Sequence, residues 1–206
     1  MTSRRLGVFG GTFDPIHSGH LIAAASVRNA LELEQVIFVP TGHSWHKIPG
    51  PLAPSMDRLA MVDLALADYE NFTSSAVDIN RLGPTYTIDT LTDLQGQYAQ
   101  EFIDDQFTWF FITGADALAE FPSWKEPEEI LARAQIVGVS RPGFTVAPGP
   151  LLSGHSIVIE APTPDISSSD IRQRVREGRT IEGLLPIVVA QYIDTHGLYR
   201  DTPVGL

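Results

Sequence analysis

Leu6-Gly7-Val8-Phe9-Gly10-Gly11-Thr12-Phe13-Asp14-Pro15-Ile16-His17-Ser18-Gly19-His20 is the stretch on which the fold turns. Leu6 to Phe9 is a short apolar run ending on a glycine pair, the pattern of a buried first strand entering a tight turn. From about Ser18 to Leu33 the apolar positions Leu21, Ile22, Ala25, Val27 and Leu31 follow helical spacing. Val36-Ile37-Phe38-Val39, closed by Pro40, then reads as a second buried strand. Strand, helix, strand in this order implies parallel pairing through a right-handed crossover.

The alternation continues outward from there. Residues 41–54 hold Gly42, Pro49, Gly50, Pro51 and Pro54 and read as a long loop, a length that in a compact domain usually serves function. Ser55 is positioned to cap a helix running through Leu66. Ala76 to Ile79 is expected as a third strand, and Thr85 or Thr87 as the cap of a helix through Leu94. Phe107 to Thr113 is a strongly hydrophobic strand ending at Gly114; Ile136 to Val139 and Ile157 to Ile159 follow as strands, with a short helix at Glu126 to Ala132. The remainder, Ser167 to Glu177 and Ile187 to Asp194, is helical. The expected fold is α/β: a doubly wound, Rossmann-like parallel sheet with helices on both faces and a helical C-terminal part. With no internal repeat and no linker, residues 1–206 are expected to form a single domain.

Composition limits what such a fold does. Lysine plus arginine number 14 against 25 acidic residues, a formal charge of −11, so a nucleic acid or an anionic membrane is not an expected partner. A phosphate-bearing ligand must meet a local positive site. Lys47 and Lys125 are the only lysines. Cysteine is absent, which excludes disulfides, Cys-ligated metal and thiol nucleophiles and accords with a reducing cytoplasm. No apolar stretch approaches a membrane span, and no signal-peptide core is present. Nothing in the composition sets the oligomeric state, and a homo-oligomer is compatible with it.

In an open parallel sheet, ligands sit beyond the carboxyl ends of the strands. There the Gly10-Gly11 pair admits close backbone approach, and the helix starting near Ser18 directs its N–H groups and positive dipole end at the same space. His17 and His20, three apart at that helix start, are able to project to one point, with Gly19 leaving the surface clear. This suits a phosphate chain. The turn matches neither G-x-G-x-x-G nor a P-loop, and two histidines without a third ligand make a poor metal site. The serine run Ser167-Ser168-Ser169 is a second helix start of the same kind, with Arg172 one turn inside it; alone, it would read as an ordinary capped helix.

Taken together, these residues resemble the nucleotidyltransferase superfamily marked by a His-x-Gly-His motif, and in particular its bacterial nicotinate-mononucleotide adenylyltransferases. The first signature is Gly10 to Pro15 with His17 and His20; the second, Ile-Ser-Ser-Thr-x-Ile-Arg in the family, stands here as Ile166-Ser167-Ser168-Ser169-Asp170-Ile171-Arg172. Ser169 in place of threonine keeps the hydroxyl and loses a methyl. Pro84-Thr85-Tyr86-Thr87-Ile88-Asp89-Thr90-Leu91, and Thr113-Gly114-Ala115-Asp116-Ala117-Leu118 followed by Trp124, are also family-like. The matches run from residue 6 to residue 172.

The resemblance implies ATP plus nicotinate mononucleotide giving deamido-NAD and pyrophosphate, a step of NAD biosynthesis. Gly10, Gly11, Thr12, Phe13, Gly19 and the three serines would bind ATP; His17, His20, Lys47 and Arg172 would stabilise charge on the phosphates. Lys47 follows His46 in the long loop, where the family carries a similar His-Lys pair; His43 and His46 read as polar bystanders. Thr85 and Tyr86 would hold the nicotinate carboxylate, and Gly114 with Asp116 a ribose hydroxyl, a partner that burial of Asp116 would call for. Trp124 reads equally as core filler or as a platform for the pyridine ring, and Arg141 as a phosphate or base contact or as a surface ion pair. With no carboxylate cluster to cage a metal, Mg2+ would travel with ATP on water ligands. No organic cofactor is implied. A phosphopantetheine or phospho-alcohol transferase of the same superfamily, and a nucleotide sensor without turnover, are the rival readings.

Overall fold

The computed structural model describes residues 3–44, 52–141, 143 and 149–200. Six parallel strands form one sheet in the order β4-β2-β1-β6-β7-β8, with β1 Ser3–Gly11, β2 Gln35–Pro40, β4 Phe72–Ser74, β6 Gln106–Gly114, β7 Gln135–Ser140 and β8 Ser156–Glu160. Between β2 and β4 lies β3 His43–Ser44, which pairs with β5 Pro84–Thr85 in a separate two-stranded ribbon. The chain builds outward from β1 to β2 and β4, then returns to β6 on the other side of β1. That reversal opens a crevice beyond the carboxyl ends of β1 and β6, where ligands bind in sheets of this kind.

Strand side chains alternate between two cores. Phe9, Phe38, Phe110 and Ile112 enter one with helices α1 Ser18–Ala30, α2 Ser55–Leu66, α6 Ser168–Arg176 and α7 Ile187–Thr195. Leu6, Val8, Ile37 and Phe111 enter the other, beneath α4 Thr87–Glu101 and α5 Pro127–Arg133. Because both faces are covered, the central strands are apolar throughout, which is why they stand out as continuous runs. The sheet, its parallel sense and its helical C-terminal part agree with the expectation.

Three local expectations need correction. The third strand is Phe72–Ser74, and the Ala76–Ile79 run instead leads into a one-turn helix, α3 Val77–Asn80. Phe72 decides this, for its ring packs 5.5 Å from Phe38 and 4.9 Å from Tyr69 and draws its own segment into the sheet beside Val36. A four-residue apolar run is ambiguous between strand and helix without that tertiary contact. Ser55 is the first residue of α2 and Pro54 its cap. Likewise Tyr86 caps α4, with Thr87 first in the helix and no side-chain capping bond. At α6 the expectation holds: Ser167 caps and its hydroxyl accepts the Asp170 N–H at 3.1 Å.

A buried polar knot fixes the turn after β1. Asp14, 4% exposed, accepts the Leu52 and Ala53 N–H groups at 2.8 and 3.1 Å and the Tyr199 hydroxyl at 2.8 Å. Arg58, 1% exposed, donates to the carbonyls of Thr12 at 2.7 Å, Thr41 at 2.6 Å, and Ala53 and Gly42 at 3.3 Å. Burial lowers the Arg58 pKa while Asp14 opposes that, and burial with Asp14 drives the Tyr199 phenol well above its usual range. Arg58→Leu should therefore strand four buried carbonyls, and destabilise the protein by about 3–5 kcal/mol. A urea titration with unchanged slope and a midpoint shift worth less than about 1 kcal/mol would contradict this.

Candidate active site

A cavity of about 780 Å³ opens at the crevice, lined by the β1 turn, the start of α1, the ends of β6 and β7 and the start of α6. It brings together Gly10, Gly11, Thr12, Phe13, His17, Gly19, His20, Ser167, Ser168, Ser169 and Arg172, which come from opposite ends of the sequence. A second cavity of about 300 Å³ is lined by Thr85, Tyr86 and Trp124, together with Thr41, Asp78, Thr90, Glu120 and Lys125. Gly10, Gly11 and Thr12 line both cavities. The two therefore share a wall at the carboxyl end of β1.

The histidine pair is built by the start of α1. His17 is the cap residue of the helix, and its N–H donates to the His20 Nδ1 at 3.2 Å. An Nδ1 that accepts carries no proton, so the His20 proton sits on Nε2. The two rings stack with centroids 3.7 Å apart, and the His20 ring meets the edge of Phe13 at 5.1 Å. His17 is 7% exposed and its Nδ1 is buried without a hydrogen-bond partner. Burial, aided by Arg141, lowers its pKa to about 4, so at neutral pH the imidazole is uncharged.

The glycines have a further reason. A Cβ on Gly19 would lie 3.0 Å from the His17 Nδ1, so the bare backbone makes room for the ring itself. Side chains at Gly10 and Gly11 would meet the Phe111 and Phe13 rings at 2.9 and 2.8 Å. Phe13 itself is buried at 2% exposure, so its ring is core and its contribution to the cavity wall lies close to the backbone.

At α6, Arg172 Nη1 donates to the Asp14 carbonyl at 2.6 Å and lies 3.7 Å from its carboxylate, while Nη2 donates to the Ser169 hydroxyl at 3.0 Å. The Arg172 Nε is buried and unpartnered. Ser168 donates to the Pro15 carbonyl at 2.9 Å, so the serine run holds the β1 turn as well as facing the cavity. Gly114, Asp116 and Arg141 line the larger cavity. Asp116 is exposed, so the argument that its burial demands a partner fails. Arg141 is exposed too, pairs with Asp165 and donates to the Ile166 carbonyl at 3.4 Å, which is the ion-pair alternative. Trp124 packs 5.1 Å from Phe121 and 5.9 Å from Phe111, and it lines the smaller cavity.

Thr85 is 8% exposed, and its buried hydroxyl has no partner. It stands before α4, whose first N–H groups no side chain caps. Lys125 contacts the Asp89 carboxylate at 3.1 Å and sits 4.9 Å from the Tyr86 ring centre. Lys47, with His46, lies outside the described residues. Sequence reasoning missed Asp14, Arg58 and Asp78. A charge breaking the apolar run Val77-Asp78-Ile79 was the one available sign for Asp78. Among the described residues, no helix is long and apolar enough to cross a membrane.

A crevice that joins two helix N-termini, a histidine pair and an arginine defines a nucleotide-handling site at a topological switch point. The chain matches the cytidylyltransferase-like family over residues 8–174. It is 50% identical, over the whole of both chains, to a probable nicotinate-nucleotide adenylyltransferase of Acidothermus cellulolyticus. With the probable nicotinate-nucleotide adenylyltransferase of Saccharopolyspora erythraea it shares 47% identity over 96% of this chain and 90% of the relative. The fold aligns, at TM-score 0.73 and 19% identity over 95% of this chain and 97% of the other, with Plasmodium falciparum nicotinic acid mononucleotide adenylyltransferase complexed with NaAD. The chain belongs to the cytidylyltransferase-like family, in its nicotinate-nucleotide adenylyltransferase group.

Neutral His17 has a measurable consequence. Its folded pKa lies below the ordinary 6.5, so the unfolded chain binds the extra proton, and stability is lost as pH falls from about 6.5 to about 4. The loss from this residue alone is roughly 3 kcal/mol. An NMR titration of the His17 ring in the free protein should show a midpoint near 4, and a midpoint above 6 would refute the assignment.

Proposed function

We propose that this chain transfers the adenylyl group of ATP to nicotinate mononucleotide, giving deamido-NAD and pyrophosphate. The observation that carries this reading is the wall shared by the two cavities at Gly10, Gly11 and Thr12. A nucleoside triphosphate in the larger cavity and a mononucleotide in the smaller would meet there with their phosphates adjacent. Curated relatives of that name, matched over the full chain, support the choice of acceptor.

A phosphate oxygen of the mononucleotide attacks the α-phosphorus of ATP; the bond from that phosphorus to the β-bridging oxygen breaks, and pyrophosphate leaves with the electron pair. A phosphate monoester is already a nucleophile near neutral pH, so the work left to the protein is alignment and charge stabilisation. His20, through Nε2–H, and His17 face the α-phosphate. His17 is neutral in the free protein, and the arriving polyanion favours its protonated form. Arg172, with Ser167, Ser168, Ser169 and the N-terminus of α6, takes the β- and γ-phosphates. Gly19 keeps the His17 ring seated, while Thr12 and the backbone at Phe13 line the nucleotide side. Lys47 takes an acceptor phosphate.

Thr85, Tyr86 and the uncapped start of α4 receive the nicotinate carboxylate, with Trp124 against the pyridine ring. Gly114, Asp116 and Arg141 face the nucleotide from the larger cavity: Asp116 meets a ribose hydroxyl and Arg141 a phosphate or the base. Mg2+ enters with ATP. Among the described residues no group of three acidic, histidine or cysteine side chains is arranged to hold a metal, so the triphosphate and water would be its ligands. The reaction is placed in the cytoplasm.

Pyrophosphate release with ATP and the mononucleotide acid, against its amide and against phosphopantetheine, tests the reading; preference for phosphopantetheine, or no turnover, would refute it. His20→Ala should lower turnover by about 10²–10³ with smaller changes in KM. Trp124→Ala should raise the mononucleotide KM and leave that of ATP nearly unchanged. Equal loss of both would make Trp124 a packing residue only.

A further inference from the structure

We infer that Asp78 is a positioning residue for the mononucleotide: its carboxylate holds in place the turn, residues 81–86, that presents Thr85 and Tyr86 to the acceptor. This rests on the functional reading above and adds to it a residue outside both family signatures. Asp78 is 4% exposed, yet it lines the smaller cavity. One carboxylate oxygen, Oδ1, accepts from the Thr90 hydroxyl at 2.7 Å and from Arg81 Nη1 at 3.0 Å. Arg81 starts the turn. Thr90 fixes its end, because the Thr90 N–H donates to the Tyr86 carbonyl at 3.1 Å in the first turn of α4. A single oxygen thus ties both ends of the segment that carries Thr85.

The main chain is equally confined. A Cβ on Gly42 would fall 2.3 Å from the Asp78 carbonyl oxygen and 3.2 Å from the Thr85 hydroxyl, so these two groups sit side by side against the chain leaving β2. The charges around the carboxylate are Arg81 and Asp93, which themselves form an ion pair, with Glu120 and Lys125 across the cavity. The neighbouring strand β2, Gln35–Pro40, brings none.

Stability does not explain an acid at this place. Burial pushes the Asp78 carboxyl up to about 6, against the pull of Thr90 and Arg81. Its folded pKa lies above the ordinary 3.8, so ionising it destabilises the fold as pH rises from about 4 to about 6. An asparagine would avoid that cost. Above about pH 6 the carboxylate holds Arg81, and below it the protonated acid does so only weakly.

The test is steady-state pyrophosphate release by the wild type and by Asp78→Asn, from pH 5.5 to 8. At pH 8 the variant should raise the mononucleotide KM about tenfold, the worth of one charge-assisted hydrogen bond, with kcat and the ATP KM within about twofold. The acceptor's own phosphate titrates near pH 6 as well, so the readout is the ratio of variant to wild-type KM. That ratio should fall towards one as pH drops below 6. From about pH 4 to about pH 6 the Tm of the wild type should decline relative to the variant as pH rises and then level off, opposite to the change in binding. If Asp78→Asn does not fold, Thr90→Val removes the donor that favours the carboxylate and should move the midpoint of the KM profile to higher pH. A ratio that is flat with pH, an ATP KM that rises in step, or an unmoved midpoint in Thr90→Val would overturn the inference. Absence of turnover by the wild type with these two substrates would instead remove the functional reading, and this inference with it.

Discussion

The opposed buried charges of Asp14 and Arg58 are the constraint on which the site depends. Asp14 accepts two main-chain N–H groups and the Tyr199 hydroxyl, and Arg58 donates to four main-chain carbonyls. Those main-chain groups belong to the turn after β1, the exit of β2 and the approach to α2. Tyr199 adds the C-terminal segment and Arg172 adds α6. Loop backbone buried without partners is costly, and here two side chains satisfy most of it. The same bonds hold Thr12 and Thr41 as walls of the smaller cavity, and the β1 turn as the wall of both.

A protein with a net charge of −11 and two lysines must attract a triphosphate by other means. Parallel pairing supplies them, because every crossover helix on a parallel sheet starts near the carboxyl edge. Both α1 and α6 present their N-termini at the larger cavity, and α4 presents its own, uncapped, at the smaller. These oriented N–H groups act as fixed partial charges that need no counter-ion and no titration. Among the described residues that line the two cavities, full positive charge is carried by Arg141 and Arg172 in the larger and Lys125 in the smaller, and His17 is neutral in the free protein. Such a site is tuned to ligands that bring charge, and is only weakly charged without them.

Much of this was legible because the informative signals are local. Strands buried on both faces appear as unbroken apolar runs, and His17 and His20 share a helix start by spacing alone. The serine run marked its own cap. What escaped reading was non-local: Asp14 and Arg58 are joined only in the fold, and nothing near either announces a partner. Phe72 against Ala76–Ile79 went the wrong way since only packing on Phe38 separates strand from helix there. Asp116 misled for a related reason, as the end of a buried strand turned out to be exposed. Gly19 was read as clearance for a ligand, whereas the nearest atom to a side chain there belongs to His17.

The common wall at Gly10 to Thr12 has a pharmacological side. Two ligands that abut across three residues can be replaced by one molecule that joins an adenosine to a pyridine through a short linker. Such a compound loses its translational and rotational freedom once while filling both chambers, so its affinity approaches the product of the two halves. On the proposed reading the dinucleotide product is itself a molecule of that shape, and its departure would undo both sets of contacts together.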